Sequence, residues 1–149
     1  MGLGHNRLSI IDLSGHGNQP FLSADGNLVM VYNGEVYNYR ELRTELENKY
    51  PFKTNTDTEV VLYAFQEWGP ACLERFIGMF SFAIWDKKQK KLFAARDRFG
   101  VKPFYYVCHQ SRLYFASEIK ALWAAGIPRV PNEEIWASYL AFGTSWNAR

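Results

Sequence analysis

Cysteine is scarce: 149 residues contain two, Cys72 and Cys108. A disulfide framework is therefore excluded, one bridge is the most the chain can form, and a reducing compartment fits. No apolar run approaches the ~20 residues needed to span a bilayer, and the N-terminal residues lack the basic and apolar regions of a signal peptide. A cytoplasmic protein is expected, without a membrane partner. Charge of one sign is missing too, with 17 Lys and Arg against 15 Asp and Glu and a net +2. A nucleic-acid partner, which demands basic residues clustered on one face, is not expected. The single basic cluster, Lys87-Lys88-Gln89-Lys90-Lys91, lies between two strand-like runs and reads as a solvated loop. Gly15-His16-Gly17 lacks the third glycine and the following helix of a phosphate cradle. No His and Cys spacing suits zinc, no Ser sits in a nucleophile elbow, and neither repeat nor low-complexity tract is present.

What is present is aromatic. Phe, Tyr and Trp make up 17% and apolar residues 48%, which points to a packed domain rich in sheet. A chain of this length fits one ordinary domain, in which about 68–70% of the unfolded surface can be buried.

The organising stretch is Leu28-Val29-Met30-Val31-Tyr32-Asn33-Gly34-Glu35-Val36-Tyr37-Asn38, an apolar run interrupted by Asn-Gly. Pattern favours a tight hairpin turn there, because both residues tolerate positive φ. The alternative is chemical: an Asn amide and a Gly backbone N–H side by side are two donors for a developing oxyanion.

Upstream, Leu8, Ile10 and Ile11 read as a strand preceded by Arg7, either a solvated end residue or a fork for a carboxylate. The segment around His16 reads as loop, and Asp25-Gly26 as a hairpin turn. Downstream, Tyr39, Leu42, Leu46 and Tyr50 are spaced for an amphipathic helix over residues 39–50, with Asn38 as its cap. Thr56 and Glu59 fit a capping box opening a second helix that ends at Gly69-Pro70. Asp57 then either serves the helix dipole or points off the helix start to hold an ammonium group. A short helical turn over residues 71–76 follows. Residues 79–86 and 91–98 form a hairpin whose first strand is apolar enough to be covered on both faces. Residues 104–108 and 113–116 make another pair, Ser117 caps a helix closed by Gly126, and a last helix covers residues 133–142.

In order, the blocks are His5-Asn6-Arg7-Leu8-Ser9-Ile10-Ile11-Asp12, Gln19-Pro20, Tyr32-Asn33-Gly34-Glu35-Val36-Tyr37-Asn38, Thr56-Asp57-Thr58-Glu59-Val60, Gly78-Met79-Phe80-Ser81-Phe82-Ala83-Ile84-Trp85-Asp86, Ala95-Arg96-Asp97-Arg98-Phe99-Gly100-Val101-Lys102-Pro103 and Ala116-Ser117-Glu118-Ile119-Lys120. This series closely resembles the glutaminase domain of glutamine-dependent asparagine synthetases, a class II, N-terminal nucleophile (Ntn) glutamine amidotransferase. The resemblance implies an α+β fold, a four-layer αββα antiparallel sandwich of the Ntn hydrolase type, here lacking its first strand. It implies hydrolysis of glutamine to glutamate and ammonia, with the ammonia passed to a synthetase domain or subunit. By resemblance Arg7 grips the glutamine α-carboxylate, and Leu8, Ser9, Ile10 and Ile11 line the site. Asn33 and Gly34 form the oxyanion hole, Glu35 helps hold the substrate, and Asp57 receives its α-ammonium. No metal or cofactor is expected in this domain, since ATP and Mg belong to the synthetase domain, which the chain does not contain.

The family's nucleophile is an N-terminal cysteine on a strand upstream of the first block, and neither Cys72 nor Cys108 matches its position. Residues 1–127 are thus expected to be an N-terminally truncated amidotransferase domain that is inactive alone, and residues 128–149 the start of a connection to the synthetase domain. A noncatalytic module that binds glutamine or another protein is the competing reading. Loss of a central strand exposes unpaired edges, so a homodimer or strand donation is also expected. The 149-residue chain should accordingly show no glutaminase turnover. Ammonia release that persists in the Cys72→Ala, Cys108→Ala double variant would overturn the assignment of a missing nucleophile.

Overall fold

Two turn signals and one close backbone approach set the main sheet. The computed structural model describes residues 1–6 and 18–143, so the expected strand from Leu8, with Arg7, Ser9, Ile10 and Ile11, lies outside the described residues, as does the His16 loop. The chain divides into two units, Met1–Phe104 and Tyr105–Arg149.

In the first unit, β1 (Phe21–Leu22) and β2 (Leu28–Val36) are joined through the Asp25-Gly26 turn. There Asp25 Oδ1 accepts from Ser23 Oγ at 2.6 Å and from the Asn27 N–H at 3.0 Å, the side-chain geometry that lets an aspartate build a turn. Strands β3 (Gly78–Asp86) and β4 (Lys91–Arg96) flank the lysine loop as expected. The four strands are antiparallel in the order β1-β2-β3-β4. Residues Phe80, Ser81, Phe82, Ala83 and Ile84 are all buried, in keeping with a strand covered on both faces.

Helices α1 (Tyr39–Leu46) and α2 (Asp57–Trp68) supply one cover. Val60, Val61 and Ala64 of α2 join Met30, Tyr32, Val36 and Phe82 in the core. Phe65, Phe93, Phe82, Phe80 and Phe76 form a chain of ring contacts with centroids 4.8–6.5 Å apart, mostly tilted or edge-to-face as ring quadrupoles favour. A 3₁₀ turn, Gly69–Glu74, follows α2 and buries Cys72.

Two local expectations are corrected. Asn38 does not cap α1: its side chain donates to the Arg75 carbonyl at 2.9 Å and accepts from the Ile77 N–H at 2.9 Å. It ties the entry of α1 to the entry of β3, and the helix ends at Leu46 rather than Tyr50. The Asn33-Gly34 pair is no turn either, because β2 runs straight through it, with Asn33 opposite Ser81 and Gly34 opposite Phe80. Glycine is required for proximity: a Cβ at Gly34 would stand 2.5 Å from the Met79 carbonyl oxygen and 2.6 Å from the Phe80 Cα. Gly78, opposite Val36, meets the same constraint against Glu35 O.

The second unit pairs β5 (Tyr105–His109) with β6 (Arg112–Ala116) through Gln110-Ser111, at φ 49° and 60°, the left-handed pair that a two-residue hairpin turn demands. Helix α3 (Ile119–Ala124) packs on β6, and α4 (Glu133–Phe142) is capped by Asn132. Ser117 was expected to cap α3, but the residue preceding that helix is Glu118, whose side chain makes no capping bond. The architecture is thus mixed α and β with antiparallel sheets. No described helix is long and apolar enough to cross a membrane.

Gly34→Ala should be severely destabilising, by about 3 kcal/mol or more, because the colliding atoms are mostly backbone and cannot move aside. Urea unfolding checks this, and a midpoint within error of wild type would show that β2 and β3 are not so closely apposed.

Candidate functional site

Each residue of a paired antiparallel strand turns both its N–H and its C=O to one side, and successive residues alternate sides. On β3, Phe80 uses its polar groups on Asp97: its N–H donates to Asp97 Oδ2 at 3.2 Å, and its carbonyl accepts from the Asp97 N–H at 2.8 Å. Those groups face β4, so the Gly34 N–H and C=O opposite face away from β3, toward the outer edge of β2. The neighbours of the same parity agree. The Tyr32 N–H donates to Gln19 Oε1 at 2.6 Å, and Gln19 Nε2 donates to the Tyr32 carbonyl at 2.9 Å. The Val36 N–H donates to Asp57 Oδ2 at 3.1 Å. Along one edge the strand therefore presents a Gln19 amide at Tyr32, then the Gly34 polar groups, then the Asp57 carboxylate at Val36.

Asp57 reaches this edge from the first residue of α2. Thr56 caps the helix, its Oγ1 accepting from the Glu59 N–H at 3.4 Å. The reciprocal half of the expected capping box is absent. Glu59, 1% exposed, turns to the Lys53 N–H at 2.9 Å, the Thr54 N–H at 2.7 Å and Thr54 Oγ1 at 2.8 Å, closing the loop before α2. Asp57 is free to face β2, where Oδ2 also accepts from the Tyr32 hydroxyl at 2.6 Å. Burial pushes the Tyr32 phenol well above its ordinary 10.0, and the Asp57 charge adds to the rise.

The remaining expected residues fall as follows. Asn33 shares a sheet face with Val31, opposite the face on which Tyr32 meets α2. Glu35 is exposed beside them. Arg7, Leu8, Ser9, Ile10 and Ile11 lie outside the described residues. Cys72 is buried, which pushes its thiol up to about 12, whereas Cys108 is exposed on β5. No group of three His, Cys, Asp or Glu that could hold a metal occurs among the described residues. A cavity of about 530 Å³ between Asp25, Phe65, Pro70, Asp86 and Phe93 includes none of the expected site residues.

Sequence reading gave no role to two residues that shape this region. Gln19 stood only as a landmark beside Pro20. Asp97 organises residues 98–103: Oδ1 accepts from the Phe99 and Val101 N–H groups at 3.1 and 2.9 Å, and Oδ2 from Lys102 N–H at 3.0 Å. Burial works to raise its carboxyl, but the four backbone donors outweigh it and hold it below the usual value. The short spacing of Asp, Gly and Pro in that block was the available signal.

Residues 1–148 match the family described as the glutamine amidotransferase domain. The chain is similar to glutamine-hydrolyzing asparagine synthetase 2 of Bacillus subtilis (strain 168), 46% identical over 141 residues, 95% of this chain and 18% of that protein. It is 43% identical to the amidase chry2 of Gibberella zeae over 127 residues, 85% of this chain and 19% of that protein. It is 45% identical to a probable glutamine-hydrolyzing asparagine synthetase of Schizosaccharomyces pombe over 121 residues, 79% of this chain and 22% of that protein. The chain thus spans about a fifth of the length of these curated relatives.

The Tyr32 phenol makes stability depend on alkaline pH. Its folded pKa is raised, so its contribution is complete below the ordinary value of 10.0 and is lost as pH rises above it, where the unfolded chain gives up a proton that the folded one keeps. Tyr32→Phe should cost about 1.5–3 kcal/mol at neutral pH through the lost bond to a carboxylate. It should also flatten the fall in stability between pH 9 and about 11. Tyr50, held at about 12 by burial and its bond to Glu67, leaves a residual slope. Identical slopes in urea titrations of the two proteins would contradict this account.

Proposed function

The chain belongs to the glutamine amidotransferase domain family, and from that premise we propose that its β2 edge is the glutamine site of an asparagine synthetase-like glutaminase. The observation that carries the reading is that the Gly34 N–H and the Asp57 carboxylate stand on the same edge of one strand, two residues apart. Two residues of strand span about 6.8 Å. A glutamine is roughly 5 Å from its α-nitrogen to its carboxamide carbon by ordinary bond lengths, so it bridges the two with a hydrogen bond at each end.

In this reading Asp57 takes the α-ammonium, and Arg7 grips the α-carboxylate with Leu8, Ser9, Ile10 and Ile11 lining the pocket. Glu35 helps hold the substrate. The Gly34 N–H and the Asn33 side-chain amide donate to the carboxamide oxygen as it gains negative charge in the tetrahedral intermediate. A thiolate attacks the carboxamide carbon, the C–N bond breaks with a proton delivered to the departing ammonia, and water releases glutamate from the thioester. Cys72 is unsuited to that attack, because a buried thiol raised to about 12 stays protonated at neutral pH. Cys108 is an exposed β5 residue whose place in the sequence does not match the family's N-terminal nucleophile. The nucleophile is therefore an N-terminal cysteine outside these 149 residues, and the chain alone binds glutamine without turning it over. The ammonia goes to an ATP-using synthetase portion, with residues 128–149 leading toward it from an amidotransferase domain of residues 1–127. The fold of the complete domain is the four-layer Ntn sandwich.

Asp57 supplies the test. An asparagine oxygen can accept both the Tyr32 and Val36 bonds, so Asp57→Asn should change stability by less than about 1 kcal/mol. It should weaken glutamine binding about tenfold or more in calorimetry, because the charge facing the ammonium is gone. No heat with wild type at millimolar glutamine, or equal affinities for the two proteins, would refute the assignment.

A further inference from the structure

Gln19 has no role in the proposed glutamine site, yet its amide holds the outer edge of β2 one rung before Gly34. It lies 13 residues from Tyr32 in sequence, but donor and acceptor both engage that residue, at 2.9 and 2.6 Å. One side-chain carboxamide thereby does what a residue of a neighbouring strand would do: it satisfies an N–H and a C=O that point the same way. Strand β1 ends its pairing early, with Phe21 opposite Met30. The Gln19 amide occupies the next rung, and Gly34 is the rung after that.

We propose that Gln19 is a positioning residue for the Asn33-Gly34 donors, fixing the peptide plane at Tyr32 so that the Gly34 N–H is held on the line along which a carboxamide oxygen approaches. Three features make this more than an edge cap. Gly34 has no side chain and hence no rotamer or Cβ packing to fix its backbone, so its orientation must be set by its neighbours. Toward β3 it is limited by the close contact with Met79 and Phe80. On the outer side the adjacent same-parity rungs, Tyr32 and Val36, are held by Gln19 and Asp57. The peptide planes on either side of Gly34 are held on the β3 side by the ladder pairs Asn33–Ser81 and Glu35–Met79, and on the outer side Tyr32 and Val36 are the next fixed points, so releasing Tyr32 slackens one end of the outer edge. A donor off line by a few tenths of an ångström loses much of its effect on a developing oxyanion, and small displacements of this kind are costly in active sites.

The proposal rests on the glutamine reading for its ligand but not for its geometry, and the experiment separates the two. The full 149-residue chain labelled with ¹⁵N is compared with Gln19→Met, which keeps the length and removes both hydrogen bonds. The Gly34 amide signal should shift and its hydrogen exchange accelerate about tenfold or more, while the Ile84 amide in the buried centre of β3 stays at its wild-type rate. The dissociation constant for glutamine should rise about tenfold. An edge cap alone would release the Tyr32 amide yet leave the Gly34 signal and the glutamine affinity unchanged, and that result overturns the proposal. If wild type binds no glutamine but the Gly34 signal responds to Gln19→Met, the positioning role stands and the assigned ligand falls. Should Gln19→Met fail to fold, Gln19→Glu at neutral pH keeps the acceptor for the Tyr32 N–H and lacks a donor for its carbonyl. It should displace the Gly34 signal in part, and an unmoved signal there is equally decisive against the proposal.

Discussion

The register between β2 and β3 governs everything else in the first unit. It sets Gly34 against Phe80 and Val36 against Gly78, two pairs so close that neither glycine could carry a Cβ. A slip by one residue would put Cβ atoms into backbone and invert which side chains enter the core. Because the hydrophobic pattern and these two glycines demand the same register, the parity of every polar group along β2 is fixed. Tyr32, Gly34 and Val36 must all turn their N–H groups outward, so the outward donor at Gly34, on which the proposed site depends, follows from a packing constraint made on the opposite side of the strand.

Outward-turned backbone groups at a short edge have to be satisfied or hydrated, and this fold uses side chains in place of a strand. Gln19 serves Tyr32, Asp57 serves Val36, and on the far side Asp97 serves Phe80 where β4 gives way to a loop. Glu59 does likewise for the Lys53 and Thr54 N–H groups before α2. Carboxylates suit this task when several donors converge, since such hydrogen bonds are stronger than neutral ones and offset part of the cost of removing a charge from water. The result is a sheet whose irregular ends are fixed by named side chains, each reaching from a different segment.

This division explains what could be read in the sequence. The periodic elements were legible because their signals are local: β3 and β4 around the lysines, α2 from Thr56 to Gly69-Pro70, and the β5–β6 pair. The Asn-Gly pair was ambiguous in principle, since glycine serves positive φ and close approach equally well, and only the partner strand decides between them. Asn38 and Glu59 have the chemistry of caps, but tertiary donors offered by Ile77, Lys53 and Thr54 outbid the local ones. Gln19 was illegible for a related reason, as a glutamine in a loop carries no periodic signal and its partner is 13 residues away. Asp57 was half legible: its place at a helix start was clear, whereas its reach to β2 depended on how α2 lies across the sheet.

Asp57 also shows why local and ligand-directed explanations need not compete. The fold requires an oxygen acceptor at that point for the Tyr32 hydroxyl and the Val36 N–H, and an amide oxygen meets that requirement. What an amide lacks is the charge. The helix dipole accounts for only part of it, typically about 0.3–1 kcal/mol at the first turn. At 5% exposure the side chain is withdrawn from bulk water, where a charge is compensated by hydrogen-bond donors or by a cation. In the proposed glutamine site a ligand ammonium would complement the charge, arriving where two fixed donors have already oriented the carboxylate. Under the proposed reading, the same two bonds would spare Asp57 from reorganising on binding, which is how a structural contact can contribute to affinity.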